Sequence, residues 1–204
     1  MNFLNKKVIV TGANRSIGQS IAIAFATEGA DVVISYRSDK EGADATVRAI
    51  QEQGRKGLAL YSDFSEMKNV AVFANQAIAY LGRVDILINN AGMLSRENIM
   101  ELVPEKMQQV FQVNTVSPLY LLQLCAKNMI ENTIKGVILN ISSIAGIITM
   151  PKGICYAASK AAMNKWTKNS ALSLAEHQIR VNAIAPGVVQ AGMNEDTSQS
   201  NLEL

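Results

Sequence analysis

Tyr156 and Lys160 lie four residues apart in "YAASK", inside a stretch whose composition predicts a helix. Helical positions i and i+4 share a face at about 6 Å. An ammonium held there acts on the phenol by charge. At an effective dielectric of about 20 and a separation of about 5 Å, it favours the phenolate by roughly 3 kcal/mol. That takes about two pK units off a starting value near 10. A second positive charge nearby would bring the phenol nearer to neutral pH, where it works well as a proton donor and acceptor.

A second constellation sits near the amino terminus. "VIVTGANRSIGQSIAIAFA" reads as strand, glycine-rich turn, helix. Gly12 suits the tight turn and Gly18 suits close packing of helix on strand. The free amides and positive dipole end of such a helix attract a pyrophosphate. Ser16 has two readings. With Gln19 three residues on, it fits a capping box; alternatively its hydroxyl donates to a phosphate oxygen. The second apolar run ends in "ISYRSD". A cofactor with a free ribose 2′-hydroxyl usually meets an acid at this point. Here Tyr36 and Arg37 stand instead, with Arg15 within reach in the loop. Two guanidiniums suit a 2′-phosphate through bidentate charge-assisted bonds. The missing acid also argues against a methyltransferase using S-adenosylmethionine.

These residues need a scaffold, and the hydrophobic pattern predicts one. Strands are expected at 7–10, 31–35, 57–61, 85–89, 136–141 and 180–185, most of them nearly continuous apolar runs, as in strands buried on both faces. Helical patterns fill 17–29, 39–54, 65–82, 114–132 and 156–177, with Gly29, Gly54 and Gly82 at C′ positions. This alternation implies right-handed βαβ units, hence an α/β doubly wound parallel sheet with helices on both faces. Ligands in such sheets bind beyond the carboxyl ends of the strands. Gly12, Asp63, Asn89, Ser142, Ser143 and Pro186 all follow strands.

Taken together, these motifs resemble the classical short-chain dehydrogenase/reductase family, over nearly the whole chain. "TGANRSIG" is similar to its cofactor loop, with Ser16 in place of the middle glycine. The resemblance implies a Rossmann fold of about six strands in the order 3-2-1-4-5-6. It also implies a cofactor site at Gly12, Asn14, Arg15, Ser16, Ile17, Gly18, Tyr36, Arg37, Asp63, Phe64, Asn90, Ala91, Gly92, Tyr156, Lys160, Pro186, Gly187 and Val189. Asp63 would contact adenine, "NNAG" (89–92) would steady the sheet, and Pro186–Gly187 would line the nicotinamide. Asn114, Ser143, Tyr156 and Lys160 match the catalytic tetrad. The thirteen-residue spacing to Tyr156 favours Ser143 over its neighbour Ser142. The implied reaction is hydride transfer between a nicotinamide and a carbonyl or secondary alcohol. Tyr156 is the general acid/base, Ser143 holds the oxygen, Lys160 lowers the Tyr156 pKa and binds the nicotinamide ribose, and Asn114 anchors a relay water. NADP(H) is the expected cofactor, with NAD(H) as the alternative. Glucose-dehydrogenase-like and acyl-carrier-protein-reductase-like members look nearest.

The resemblance also brings departures. Near Ala191 the family often has a threonine. The chain stops where family members continue, so a substrate lid and a last strand are expected to be absent. That leaves 180–185 as an exposed apolar edge and raises a second reading, a catalytically impaired nucleotide-binding protein. Residues 1–189 are expected to form one catalytic and cofactor domain, with 190–204 a polar tail. The helices near 115–131 and 156–175 would form a homodimer or homotetramer interface.

Composition removes other classes. With 204 residues, 49% of them hydrophobic, the chain can bury a sizeable core. A net charge of +2 is far from the basic excess of a nucleic-acid binder. No uninterrupted apolar stretch of about 18 residues predicts a membrane span. His177 is the sole histidine, and Cys125 and Cys155 fit no metal spacing, so no metal site is expected. Two cysteines and no signal-peptide pattern predict a cytoplasmic setting.

Overall fold

The computed structural model describes residues 1–189; the expectations at Ala191 and for the tail 190–204 lie outside the described residues. Six strands form one parallel sheet: β1 (Lys7–Val10), β2 (Asp31–Tyr36), β3 (Gly57–Tyr61), β4 (Ile86–Asn89), β5 (Val137–Ile141) and β6 (Arg180–Ile184). Their order is β3-β2-β1-β4-β5-β6, as the resemblance implied. All five pairings are parallel, and most strand limits fall within one residue of the sequence reading.

Successive strand residues point to opposite faces. Val8, Val10, Val32, Ile34, Ile86 and Ile88 therefore enter one core, and Ile9, Val33 and Leu87 enter the other. With both faces covered, polar alternation has no place in these strands. The first core is closed by α1 (Ser16–Thr27) and α2 (Lys40–Glu52) through Ala22, Ala26, Ala43 and Ile50. Short α1 side chains let that helix lie close to the sheet. The other face is covered first by α3 (Met67–Leu81), which buries Phe73 and Ala77.

The next helical stretch differs from the sequence reading. A helix α4 (Pro104–Phe111) precedes the expected one. It buries Val110 alone, so it carries almost no apolar stripe to be read. The backbone then stays helical through a π turn, Gln112–Val116, into α5 (Ser117–Glu131). Asn114, expected at the start of an ordinary helix, lies inside that π turn. Helix α6 (Ile154–Ser173) completes this layer with Met163 and Trp166. No helix among the described residues is long and apolar enough to cross a membrane.

The amino end of the sheet is fixed by charge. Asp31 accepts from Lys7 Nζ at 2.5 Å, Arg55 Nη2 at 2.8 Å and the Lys56 amide at 3.1 Å. Burial opposes ionisation of this carboxyl, but the Lys7 hydrogen bond, the Lys56 amide and the charges of Lys7 and Arg55 outweigh it, holding the pKa below the usual range. Asp85 accepts from the Lys7 amide at 2.9 Å and pairs with Arg83 at 3.2 Å and Lys6 at 3.5 Å. At the far edge, β6 pairs only with β5 among the described residues. Val181 is buried, while Ile184 is half exposed.

Candidate active site

Beyond the carboxyl ends of β1, β4 and β5 the loops enclose a cleft of about 340 Å³. Its floor is the turn after β1. Gly12 takes φ +62, and a Cβ there would come 2.9 Å from Ala91 Cα. A Cβ on Gly18 would lie 2.5 Å from Asn90 Nδ2 and 2.9 Å from Ala13 Cα. No side chain fits at either position, because the β1 and β4 loops are laced together there. Asn90 Nδ2 donates to Thr11 O at 2.9 Å and Gly12 O at 3.0 Å. Thr11 Oγ1 accepts from the amides of Asn90 and Ala91, each at 2.9 Å. Ser35 Oγ accepts from the Gly12 amide at 2.9 Å, tying in β2. Thr11 and Ser35 escaped the sequence reading, which looked for cofactor contacts and not for the residues that shape the loop.

The capping box at Ser16 is not formed. Arg15 is the N-cap, in extended backbone and with no side-chain cap bond. Ser16 is the first helical residue, with φ +57, a left-handed conformation incompatible with the extended backbone of an N-cap. Gln19, the intended partner, donates instead to Thr46 Oγ1 at 2.9 Å, on α2. The first-turn amides of α1 are therefore left without a side-chain acceptor, and the Ser16 hydroxyl stands at the cleft.

The corner beside β2 gathers charge. Arg15, Arg37, Asp39 and Asp63 all line it. Tyr36 does not line the cleft; its ring meets Tyr61 edge-on, centroids 6.1 Å apart. Asp39 caps α2 by accepting from the Gly42 amide at 2.8 Å, and it accepts from Asn14 Nδ2 at 3.1 Å. Those two bonds and the Arg15 charge hold its carboxyl below the usual range. Burial opposes ionisation of Asp63, yet hydrogen bonds from the Ser65 amide and hydroxyl and the Arg37 charge hold its pKa down as well.

The other half of the cleft is built by β5 and α6. Ser142, Ser143, Tyr156 and Lys160 line it, as do Pro186, Gly187 and Val189. The Ile144 amide donates to Pro186 O at 2.9 Å and closes the two loops on each other. Gly146 lets the serine loop rest on α6: a Cβ there would fall 2.7 Å from the Lys160 carbonyl carbon and 2.8 Å from Ala161 N. Lys160 is only 3% exposed. Its Nζ donates to Ile141 O at 2.7 Å and sits 5.8 Å from the centre of the Tyr156 ring. Burial pushes its pKa down to about 8. The pKa of Tyr156 runs against the sequence expectation. Burial pushes the phenol up, a hydrogen bond with Ser143 opposes this, and no net lowering by Lys160 is found in the protein alone. The ammonium is spent on the Ile141 carbonyl and is itself short of hydration, so it does not outweigh the dry surroundings of the ring.

Asn114 is fully buried and does not line the cleft. Its Oδ1 accepts from the Met93 amide at 2.7 Å, and its Nδ2 donates to Met93 O at 2.9 Å and Ser159 Oγ at 3.0 Å. Ser159 Oγ in turn donates to Tyr156 O at 2.7 Å. One hydroxyl thus joins the π turn to the helical turn that carries Tyr156 and Lys160. Ser142, the alternative to Ser143, points its hydroxyl at Lys160 O at 3.4 Å. Apart from Tyr36 and Asn114, every residue expected in the cofactor and catalytic sets lines this one cleft. Besides Thr11 and Ser35, the sequence reading missed Asp39, Gly146 and Ser159; of these three only Asp39 left a signal, a capping residue ahead of a helical run.

Comparison with known proteins gives a consistent picture. The family model for short chain dehydrogenases matches residues 6–202. Glucose 1-dehydrogenase 2 of Bacillus subtilis is 35% identical over 199 residues, 95% of this chain and 76% of that protein. A short chain dehydrogenase from Burkholderia cenocepacia, solved in complex with NADP, superposes with a TM-score of 0.90 at 31% identity, over 95% of this chain and 78% of the other. NAD+-bound xylitol dehydrogenase superposes with a TM-score of 0.86 at 28% identity, over 92% and 72%.

Proposed function

The chain belongs to the short chain dehydrogenase family of NAD(P)-dependent oxidoreductases, and from that premise we propose that it interconverts a carbonyl and a secondary alcohol, preferring NADP(H), with Tyr156 as general acid/base. The observation that carries this reading is the convergence of Ser143, Tyr156 and Lys160 on the same cleft as the uncapped amino end of α1.

The residues present fit a dinucleotide. Gly12 and Gly18 leave a surface that any Cβ would fill, the first-turn amides of α1 favour an anion, and Arg15, the N-cap of α1, and Arg37, just beyond β2, line the same cleft. When bound, the nicotinamide supplies or accepts the hydride. The chain's own residues do the rest. Ser143 and Tyr156 line the same cleft, placed to share one substrate oxygen. Tyr156 delivers its proton to that oxygen in reduction and takes it back in oxidation. Its raised pKa suits the donor role; the acceptor role needs added positive charge nearby. Lys160, with a pKa of about 8, is mostly charged at pH 7, and the Ile141 carbonyl directs its ammonium. Asn114 acts through its fixed position in the π turn, both of its Nδ2 donors being used by Met93 and Ser159.

The test is steady-state absorbance of NADPH with a panel of aldehydes and ketones, beside nucleotide binding. Turnover of at least one carbonyl is expected. Tight NADPH binding with no turnover across the panel would reduce the protein to a nucleotide binder.

A further inference from the structure

Two short hydrogen bonds tie α6 to β5 among the described residues. One is Lys160 Nζ to Ile141 O at 2.7 Å; the other is Asn140 Nδ2 to Thr167 Oγ1 at 2.9 Å. The polar links from α6 to the loop after β5, Ser142 Oγ to Lys160 O and Asn164 Nδ2 to Gly146 O, are long at 3.4 and 3.3 Å. Asn89, Asn140 and Thr167 are all buried and lie outside the cleft. The direction of every bond in this group is fixed from one end. Asn89 Nδ2 donates to Pro118 O at 3.2 Å and to Asn140 Oδ1 at 2.9 Å. That turns Asn140 Nδ2 towards Thr167, whose hydroxyl donates onward to Met163 O at 2.7 Å. One chain of bonds thus joins β4, the start of α5, β5 and α6.

We propose that Asn140 and Thr167 are positioning residues for the reaction: their bond fixes the place of α6 along β5 and so aims Tyr156 and Lys160 into the cleft beside Ser143. The inference rests on the reaction proposed above. Apolar contact holds α6 to the sheet through Met163 and Trp166, but it has no direction. A helix held that way can slide and turn on its strand. A hydrogen bond weakens steeply when bent or stretched, and it resists both motions. With the Lys160 bond alone, a helix of 20 residues keeps one pivot, and that pivot is a long side chain needed at the cleft. Thr167 follows Lys160 by two helical turns, about 10 Å along the axis, on nearly the same face. Two anchors that far apart fix rotation and translation together. Asn140 directly precedes Ile141, so both anchors are set by neighbouring residues of one strand. Neither Asn140 nor Thr167 reaches the cleft, so their bond can be cut without touching a group there.

The experiment separates aim from stability. Thr167→Val keeps the shape and removes the hydroxyl; Thr167→Ser keeps the hydroxyl. Ile50→Val, in the core on the opposite face of the sheet, loses stability without touching α6. For each, kcat with the best carbonyl of the panel, the NADPH dissociation constant and the melting temperature are measured on the full chain. Thr167→Val should lower kcat about tenfold, a part of the roughly hundredfold that a displacement of about 1 Å can cost. NADPH affinity should stay near wild type, and Thr167→Ser should restore kcat. Asn140→Val cuts the same bond from the strand. It should lower kcat as far as Thr167→Val does, and the double variant should be no slower than either single one. It also decides the matter by itself if Thr167→Val does not fold. Wild-type kcat in Thr167→Val, no recovery in Thr167→Ser, or an equal fall in Ile50→Val overturns the proposal and leaves the bond a contribution to stability alone. A wild-type chain that turns over no carbonyl overturns the reading of function, and this inference with it.

Discussion

The two ends of the sheet use charge in opposite ways. At the amino end, Asp31 and Asp85 are each matched by two or more cations. At the carboxyl end the buried polar groups are neutral: Thr11, Ser35, Asn89, Asn114, Asn140, Ser142 and Ser159. The exception is Lys160, a buried cation held by a carbonyl oxygen and, among the described residues, by no carboxylate. Paired charges fix strand ends and gain from being satisfied. A charge kept unpaired costs stability and stays available to whatever enters the cleft. The difference marks one end as structural and the other as chemical.

The sharpest way to break that contrast is Tyr156→Phe. Removing the phenolic proton should lower turnover by about 10²- to 10⁴-fold while nucleotide affinity and melting temperature stay near wild type. A variant with full turnover removes Tyr156 from the chemistry. At the opposite end, Asp31→Ala strands Lys7 and Arg55, both only partly exposed. A loss of about 2–4 kcal/mol is expected in denaturant unfolding, with kcat unaffected where the protein is folded. Because the folded pKa of Asp31 is depressed, its contribution is complete above the unfolded value near 3.9 and fades as pH falls through the lower folded value. The wild-type and Asp31→Ala unfolding curves should therefore converge in acid.

Lys160→Met tests the unpaired charge. Activity should be lost, yet the variant should be more stable at pH 7, by about 2–3 kcal/mol. A buried lysine titrating at about 8 binds fewer protons than the unfolded chain between there and about 10.4, so wild-type stability rises with pH across that window and the gap closes. A Lys160→Met protein less stable than wild type at pH 7 contradicts the account of the two ends. The smallest effect is expected at Ser159→Ala. It leaves Asn114 Nδ2 one acceptor short and removes one of two bonds from the π turn to Ser159, the one from Thr115 Oγ1 to Ser159 O remaining, at about 1–2 kcal/mol. Turnover should fall about tenfold, with KM for NADPH held within twofold. Equal losses in kcat and in cofactor affinity would point to general loosening instead.

What was legible in the sequence follows the same division. Strands buried on both faces announce themselves as apolar runs, so β1 and β3 match their expected limits residue for residue. The glycine loop and the Tyr156–Lys160 spacing are local patterns and were readable. Features set by distant contacts were not. Ser16 and Gln19 have the spacing of a capping box, but Thr46, 27 residues beyond Gln19, takes the Gln19 amide and the box never closes. The π turn around Asn114 rests on Met93 and Ser159, neither of them a helical neighbour. Pairing of β2 with β3 sets the Tyr36 ring against Tyr61, a contact that its place at a strand end did not reveal.

One consequence of the left-handed Ser16 concerns engineering. A glycine holds that conformation at about 1 kcal/mol less than any residue bearing a Cβ. The loop thus contains a reserve of folding stability that a single substitution releases, at the expense of one hydroxyl at the cleft. Anyone raising the heat tolerance of this protein can begin there, and the change in nucleotide affinity that accompanies it measures how much that hydroxyl contributes.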